Sequence, residues 1–359
     1  MTLSVLALTR YERNGASSRV RFLQYVPHLE KLGAKVSVHA LLPRDYLTRL
    51  YADGSRSPVT VAAAWANRLW TLIAQRDVDL IWLQREMLPF APFLAEDILL
   101  AGRKLVIDFD DAHHLYYKDR RSKFVQAFWG DKIERLIRRA DAVTVGNPGL
   151  AEIAQAAGAR NVHMIPSAVD VAAYQVADAG PPERFTVGWI GTPMTADESL
   201  PMILDPLGKF LNETDAECVL VGPRENQFPG LKARTLPWRE GEEARVLAKM
   251  SAGICPLPDT PWHRGKSGYK IIQYMAAGLP ALVSPVGIAA ELTVPGETGF
   301  HCRTSQEWFD ALMVLYRDSK RRAAFGRRAH ELALQNYDTA AAAGRIFGIM
   351  RSCAGGTNA

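Results

Sequence analysis

The alternation of apolar and polar residues along the chain predicts two series of strands and helices. Short apolar runs predict strands at residues 3–9, 35–41, 78–83, 105–109, 142–145 and 162–166, and again at 185–190, 217–221, 234–237, 252–258 and 281–284. Segments with helical spacing lie between them, among them 18–32, where Ser17 or Ser18 can cap a helix that Gly33 ends. Strands that alternate with helices are typical of parallel sheets, so the pattern predicts an α/β fold.

The repeated pattern and the length of 359 residues predict two domains. The segment Asp178–Glu183 is rich in proline and glycine between apolar runs, as linkers commonly are. We therefore expect a first domain at residues 1–170, a linker at 171–184, a second domain at 185–336 and a tail at 354–359. Helices are predicted between Ser305 and Arg351.

Composition narrows the class of protein. Hydrophobic residues make up 48% of the chain and charged residues 23%, which is ordinary for a globular protein. The four cysteines (Cys218, Cys255, Cys302 and Cys353) show no ligand-like spacing, so we expect reduced thiols. The chain has no apolar run of membrane-spanning length, no signal-peptide pattern, and no GxGxxG motif after its first strand. We therefore expect a cytoplasmic protein that binds no dinucleotide.

The net charge of +5 arises in the first 170 residues, where 23 lysines and arginines face 18 acidic residues. The most basic segment is Lys118–Ala140, in which Ile133, Leu136, Ile137 and Ala140 form an apolar stripe flanked by basic residues. Such a segment can rest on anionic lipid at the inner face of a membrane, or it can dock on the sheet as a surface helix. The excess charge is mild, and we do not expect a nucleic-acid partner.

The chain is organised around residues 265–287, which read GKSGYKIIQYMAAGLPALVSPVG. A helix is predicted from Ser267, which can serve as its N-cap, to Ala277, before Gly278 and Pro280. At helical spacing one narrow stripe collects polar residues opposite the apolar face. The members of this stripe are Lys266, Lys270, Gln273 and Ala277.

Two lysines at a helix N-terminus, with His263 and Arg264 just before them, crowd positive charge where the helix dipole is already positive. The crowding lowers stability unless an anion binds, so we expect an anion site. The alternatives are a solvated helix face and a P-loop, although the first glycine of a P-loop would fall at Thr260. Arg19 and Arg21, at the start of the first helix, are either a second anion site or surface arginines.

A second polar cluster follows the strand at 105–109, where Asp110 and Asp111 are succeeded by His113 and His114. Ligand groups commonly lie beyond the carboxyl ends of the strands in open α/β sheets. The cluster is therefore either a metal site or an acid–base cluster for an acceptor, unless an aspartate simply caps a helix.

The stretch from Lys266 to Gly287 resembles the donor-site segment of glycosyltransferase family 4. That family usually shows Glu-x7-Glu running into E-A-M-A-x-G-x-P-V-V-A-S, and the two glutamate positions here are Gly265 and Gln273. Residues 165–174 (IPSAVDVAAY) and 286–300 resemble further segments of the family. The chain therefore resembles a divergent branch that lacks both motif glutamates.

The resemblance implies the GT-B fold, two Rossmann-like domains facing a cleft, with a last helix at 337–353 that packs back on the first domain. It also implies transfer of a sugar, with retention of configuration, from a nucleotide-diphospho-sugar to a sugar or lipid-linked acceptor or a small molecule. No metal or cofactor is expected.

The resemblance also implies roles for individual residues. Lys266 and Lys270 would neutralise the leaving diphosphate, and Asp110 would orient the acceptor hydroxyl or the donor sugar. The other positions assigned to the donor are Gly15, Gly191, Thr192, Trp238, Arg239, Arg264, Gln273, Gly287 and Glu291, and those on the acceptor side are Arg19, Asp111 and His113. Trp238 could instead belong to the core.

Two other functions stay open. Because both motif glutamates are absent, the chain could be a non-catalytic subunit that binds a sugar nucleotide. A GT-B epimerase or phosphorylase is the third possibility.

Overall fold

The computed structural model describes residues 2–54, 57–118, 122–174 and 182–355. The chain divides into two compact units, Met1–Ser167 together with Thr339–Ala359, and Ala168–Asp338. Residues 175–181 of the expected linker and 356–359 of the expected tail lie outside the described residues.

The first unit contains a six-stranded parallel sheet with the strand order β2-β1-β3-β4-β5-β6. Its strands are β1 (Leu3–Tyr11), β2 (Ala34–Leu42), β3 (Leu80–Gln84), β4 (Leu105–Phe109), β5 (Ala142–Val145) and β6 (Val162–Met164). Every residue of β3, β4 and β5 is buried, as expected for the central strands of a parallel sheet that is covered on both faces. This burial is why short, continuous apolar runs located the strands in the sequence.

Helices connect the strands of the first unit. In the part of the chain that the structure describes, those before β6 are α1 (Ala16–Ser18), α2 (Val26–Lys31), α3 (Arg44–Asp53), α4 (Pro58–Ala74), α5 (Phe93–Leu100), α6 (Leu115–Lys118), α7 (Lys123–Trp129), α8 (Lys132–Arg139) and α9 (Pro148–Ala156). The single helix predicted at 18–32 is wrong, because a π-helical turn at Arg19–Leu23 separates α1 from α2. Neither Ser17 nor Ser18 is the N-cap of α1, which is Gly15.

The second unit repeats the architecture with the strand order β12-β11-β10-β7-β8-β9, again all parallel. Its strands are β7 (Thr186–Ile190), β8 (Glu217–Val221), β9 (Arg234–Leu236), β10 (Ala252–Cys255), β11 (Ala281–Val283) and β12 (Gly299–His301). The strand predicted at 252–258 ends three residues early, since Pro256 and Pro258 lack the N–H that a ladder requires. The predicted α/β class with two parallel sheets is confirmed.

Helices separate the strands of the second unit as well. They are α10 (Pro193–Ser199), α11 (Leu204–Glu213), α12 (Glu243–Leu247), α13 (Pro261–Arg264), α14 (Tyr269–Ala276), α15 (Ala289–Leu292), α16 (Ser305–Arg317) and α17 (Ser319–Asn336), with 3₁₀ turns at Val171–Tyr174 and Leu200–Ile203. Apolar side chains pack on both faces of the sheet, in one cluster around Ile272 and another around Trp189.

The last helix, α18 (Thr339–Gly355), belongs to the first unit. It packs against α2, β3 and β4. Ala342, Ala343, Ile346 and Met350 are the buried residues that make this packing apolar.

Candidate functional site

The second sheet reverses its strand order between β7 and β10. Ladder pairing of these strands reaches only as far as Gly188 and Gly253. Beyond that point the hydroxyl of Tyr274, from α14, accepts a hydrogen bond from the Ile190 N–H (3.3 Å) and donates one to the Ile254 carbonyl (3.1 Å). Ligands of open α/β sheets bind outside the carboxyl ends of strands at such a switch point.

Lys270 lies in the first turn of α14 at this switch point. Its ammonium lies 4.1 Å from the centroid of the Trp189 indole, near the carboxyl end of β7. Within the described residues it makes no hydrogen bond and no ion pair. Burial lowers the pKa of Lys270 to about 8, and the nearby Lys266 reinforces that shift, whereas Cys255 and the carboxylate of Glu198 oppose it. Lys270 is therefore a cation that forms no ion pair with the described residues and lies where a ligand is expected.

Lys266 does not lie on the same helix, so the predicted stripe is wrong. Gly268 has a left-handed backbone (φ +67°) and is the N-cap of α14, which begins at Tyr269 and not at Ser267. A side chain at Gly268 would also collide with Leu292. Lys266 precedes this turn, and its ammonium lies 5.0 Å from the centroid of the Trp262 ring.

The P-loop alternative is also wrong. In a P-loop one glycine-rich loop runs from a strand directly into the helix. Here β10 ends at Cys255, and α13 (Pro261–Arg264) intervenes before Gly265. The GKS tripeptide is therefore not a phosphate-cradling loop of that type.

Gly287 and Arg264 lie together. The backbone at Gly287 is left-handed (φ +54°), and a Cβ there would come within 2.4 Å of the Arg264 carbonyl oxygen. The loop after β11 thus rests on the end of α13 near Lys266. The guanidinium of Arg264 points to solvent and pairs with Asp259, at 2.6 and 3.1 Å.

Gly191, Thr192 and Trp238 occupy the carboxyl ends of β7 and β9. The Gly191 N–H donates to the Val221 carbonyl (3.0 Å). The Thr192 N–H and hydroxyl are both used by Thr195 in a capping box at the start of α10. Trp238 is half-buried against the apolar cluster on its side of the sheet, so part of its ring is in the core and part is accessible.

Three further donor candidates are engaged elsewhere or exposed. Gln273 is 4% exposed and donates its amide N–H to the Tyr174 hydroxyl (2.9 Å). Arg239 is exposed and lies 3.7 Å from Glu242. Glu291 is exposed on the short helix α15.

The first unit places Asp110 directly after β4. Asp110 is 6% exposed, and its Oδ1 accepts hydrogen bonds from Arg85 Nε (3.2 Å) and Nη2 (2.8 Å). Burial raises the pKa of Asp110, but Arg85, His113 and Arg21 outweigh burial and hold that pKa well below its ordinary value. Asp110 is therefore a fixed anion and not a helix cap.

Asp111 and His113 lie beside Asp110. One ligand atom from each of the three falls within 4.8 Å of the others, a spacing that could hold a metal ion. However, the Arg85 guanidinium already neutralises Asp110 and lies 3.9 Å from Asp111 Oδ2. A cation would have to compete with that guanidinium, so the geometry favours a hydrogen-bonding cluster.

Gly15 and Arg19 belong to the loop and the turn after β1. Gly15 is buried, and a Cβ there would overlap the Tyr11 side chain. Arg19 donates to the Arg13 carbonyl (3.3 Å). The suggestion that Arg21 serves an anion or the surface is wrong, because Arg21 is 1% exposed and forms a bidentate pair with Asp108 (2.9 and 2.6 Å).

The basic segment Lys118–Ala140 docks on the protein. Residues 119–121 lie outside the described residues, Lys118 ends α6, and most of the rest forms α7 and α8. Ile133, Leu136 and Ile137 are buried in the core, so this stripe cannot face lipid. Among the described helices, none is both long enough and apolar enough to cross a membrane.

Sequence reasoning assigned no role to Arg85, Tyr274 or Glu198. The position of Arg85 close to the end of a predicted strand could have indicated a role at the site. Glu198 carried none, since its contact with His263 (3.4 Å) joins α10 to α13 across the fold.

Residues 184–318 match the family model described as "Glycosyl transferases group 1". No curated protein sequence matches the chain.

Solved structures match nearly the whole chain. Anabaena Alr3699/HepE in complex with UDP and glucose is 17% identical over 98% of this chain and 100% of that one, with a TM-score of 0.70. A glycosyltransferase from Rickettsia africae is 13% identical over 99% and 100% (TM-score 0.71), and sucrose-phosphate synthase from Thermosynechococcus elongatus is 15% identical over 98% and 98% (TM-score 0.69). At these identities the likeness shows the fold, which is GT-B.

Proposed function

We propose that the protein is a retaining glycosyltransferase, resembling family 4, that transfers a sugar from a nucleotide-diphospho-sugar to a hydroxyl acceptor. The observation that carries the proposal is Lys270 at the switch point of the second sheet. It is a partly buried cation that forms no ion pair with the described residues, and its neighbour Lys266 adds positive charge. A diphosphate would supply the missing negative charge.

In this proposal the two lysines act on the leaving group. When the bond between the sugar and the diphosphate of the donor breaks, negative charge develops on the diphosphate. The two ammonium groups are already in place and stabilise that charge without reorganising. The diphosphate oxygen can then help to take the acceptor proton, so the protein contributes position and charge. Gly191 and Trp238 lie at the carboxyl ends of β7 and β9, on either side of β8, and would border the nucleotide.

Uridine nucleotides are the first donors to test, because the matching Anabaena protein was crystallised in complex with UDP and glucose. The acceptor, whether a glycan, a glycolipid or a small molecule, would meet Asp110 in the first unit.

A non-catalytic sugar-nucleotide binder is the second candidate, and a specific observation favours it. Of the family's two glutamate positions, Gly265 offers no side chain, and the Gln273 amide N–H is used by Tyr174.

UDP release from UDP-glucose by the purified chain separates the two functions. We expect slow release with water as the acceptor, together with saturable binding of UDP. Binding without release would support the non-catalytic subunit. The absence of binding to UDP-, GDP- and ADP-glucose would contradict both.

A further inference from the structure

Arg85 is held in a backbone conformation that its residue type rarely adopts. It follows β3 directly, where the first sheet reverses its strand order between β1 and β3, and its φ is +67°. Within the described residues, only Phe90 and Asn226 share a positive φ without being glycine. Glycine would adopt this conformation without strain, so the presence of arginine needs a reason in its side chain.

The side chain supplies that reason. Its guanidinium donates to Asp110 Oδ1 through Nε (3.2 Å) and Nη2 (2.8 Å), and Nη2 also donates to the Ser17 hydroxyl (2.8 Å). The Arg85 side chain is 12% exposed and that of Asp110 is 8% exposed, so water screens the pair weakly. Asp110 Oδ2 makes no hydrogen bond with the part of the chain that the structure describes.

The loop that carries Arg85 is itself fixed by buried ions. Glu96 accepts hydrogen bonds from the backbone N–H groups of Met87 (3.2 Å) and Leu88 (2.9 Å). Lys132, which is 1% exposed, bridges Glu96 and Glu86, each at 2.8 Å. These contacts hold the left-handed turn in place and aim the guanidinium.

We propose that Arg85 is a positioning residue for Asp110, one that occupies Oδ1 and presents Oδ2 to an acceptor hydroxyl. This inference rests on the proposed glycosyl transfer. Asp110 then acts as a fixed hydrogen-bond acceptor that orients the hydroxyl. Ser17, on α1, accepts a hydrogen bond from Arg85 and helps to hold the guanidinium in place.

The first variant to test is Arg85→Gly, because glycine keeps the left-handed backbone while the side chain and its guanidinium are removed. We expect a folded protein whose melting temperature is lowered, because Asp110 loses its countercharge. UDP affinity by calorimetry should be unchanged, and the kcat of UDP release from UDP-glucose should fall about 100-fold, the scale on which misplacement acts. Arg85→Lys should recover part of the rate, since an ammonium can still reach one oxygen. Arg85→Asn, a residue that tolerates this conformation, replaces the glycine variant should that one be unstable.

A double-mutant cycle distinguishes positioning from mere stability. The double variant Arg85→Gly/Asp110→Asn should be no slower than Asp110→Asn alone, because the two residues act as one unit. Arg139→Ala removes another partly buried arginine of the same unit, paired with Asp97 at 3.3 Å, and should leave the kcat unchanged. Multiplicative losses in the cycle, or full activity of Arg85→Gly, would overturn the inference.

A crystal structure of Arg85→Gly shows the position of the Asp110 carboxylate without the need for turnover. A carboxylate of Asp110 that swings away supports the inference, and one that stays in place contradicts it. Because this readout needs no donor, it holds even if the wild-type chain neither binds UDP nor releases it, which would contradict the proposed function instead.

Discussion

The two units place charge at the carboxyl ends of their sheets in opposite ways. In the first unit, acids and bases are matched: Asp110 with Arg85, and Asp108 with Arg21, at 2.6–2.9 Å. In the second unit, Lys270 lies on an indole face, and no carboxylate pairs with it among the described residues. At the edge of the first sheet these charges are paired, whereas at the edge of the second sheet Lys270 has no ion-pair partner among the described residues.

The difference shows in the pKa values. Opposite charges hold the pKa of Asp110 well below its ordinary value, whereas burial lowers that of Lys270 to about 8. A buried charge with a partner is already organised, while one without a partner destabilises the protein until a ligand supplies the countercharge. We infer that the first edge positions a neutral group and that the second binds an anion.

The strongest test of this comparison is Lys270→Met, which removes the ammonium and keeps the apolar stem over Trp189. Affinity for UDP should fall by about 1.5–3 kcal/mol, the value of a charge-assisted hydrogen bond. Calorimetric titration measures this loss, and uridine without phosphate should bind both forms equally. The melting temperature of the ligand-free variant should not fall.

Lys209→Met is the matched control. Lys209 also lies over an aromatic ring of the second unit, 4.2 Å from the Phe309 centroid, but it is exposed and lies on α11. Its loss should not change UDP affinity. If wild type and Lys270→Met bound UDP with equal affinity, the proposed donor site would be contradicted.

The second test uses pH. Since the folded-state pKa of Lys270 lies near 8, below its ordinary 10.5, the unfolded chain binds more protons in that interval. The contribution of Lys270 to stability therefore rises as pH rises from 8 toward 10.5. UDP affinity should change the other way and fall several-fold between pH 7 and 9, because the ammonium that binds phosphate is lost. Titrations of Lys270→Met should show a flat profile over this range, and an equal slope in both proteins would assign the effect to another group.

Most of the strands were predictable from the sequence because parallel strands are buried on both faces, which leaves short apolar runs such as residues 105–109. The three-residue edge strand β12 was not predicted. The helix around Lys270 was predictable in outline but not at its start. Gly268 has a left-handed backbone, and Leu292 fills the space that a Cβ there would need, a contact that local sequence does not reveal. For the same reason, the local sequence pattern placed Lys266 on the helix, which begins only at Tyr269.

The environment of each charge was less predictable than its position. Arg21 was expected to bind an anion or to lie on the surface, and Lys132 belongs to the segment expected to rest on lipid or to form a surface helix. Both are 1% exposed, because Asp108 on β4 neutralises Arg21, and Glu86 and Glu96 around the β3–α5 loop neutralise Lys132. These pairs join residues far apart in the chain, so no spacing rule could find them. Asp110 was chosen as a candidate because ligand groups commonly lie at strand ends, and its role stays a prediction.

Arg264→Ala is the test with the smallest expected effect, and it sharpens the comparison within the second unit. Arg264 lies just before Lys266 in the chain, but its guanidinium already pairs with Asp259 and is solvent-exposed. Water and Asp259 screen its charge, so UDP affinity should fall by less than about threefold. Calorimetry beside Lys270→Met makes the contrast direct. A loss as large as that of Lys270→Met would mean that a paired surface cation contributes as much as an unpaired, partly buried one, and the distinction drawn between the two edges would fail.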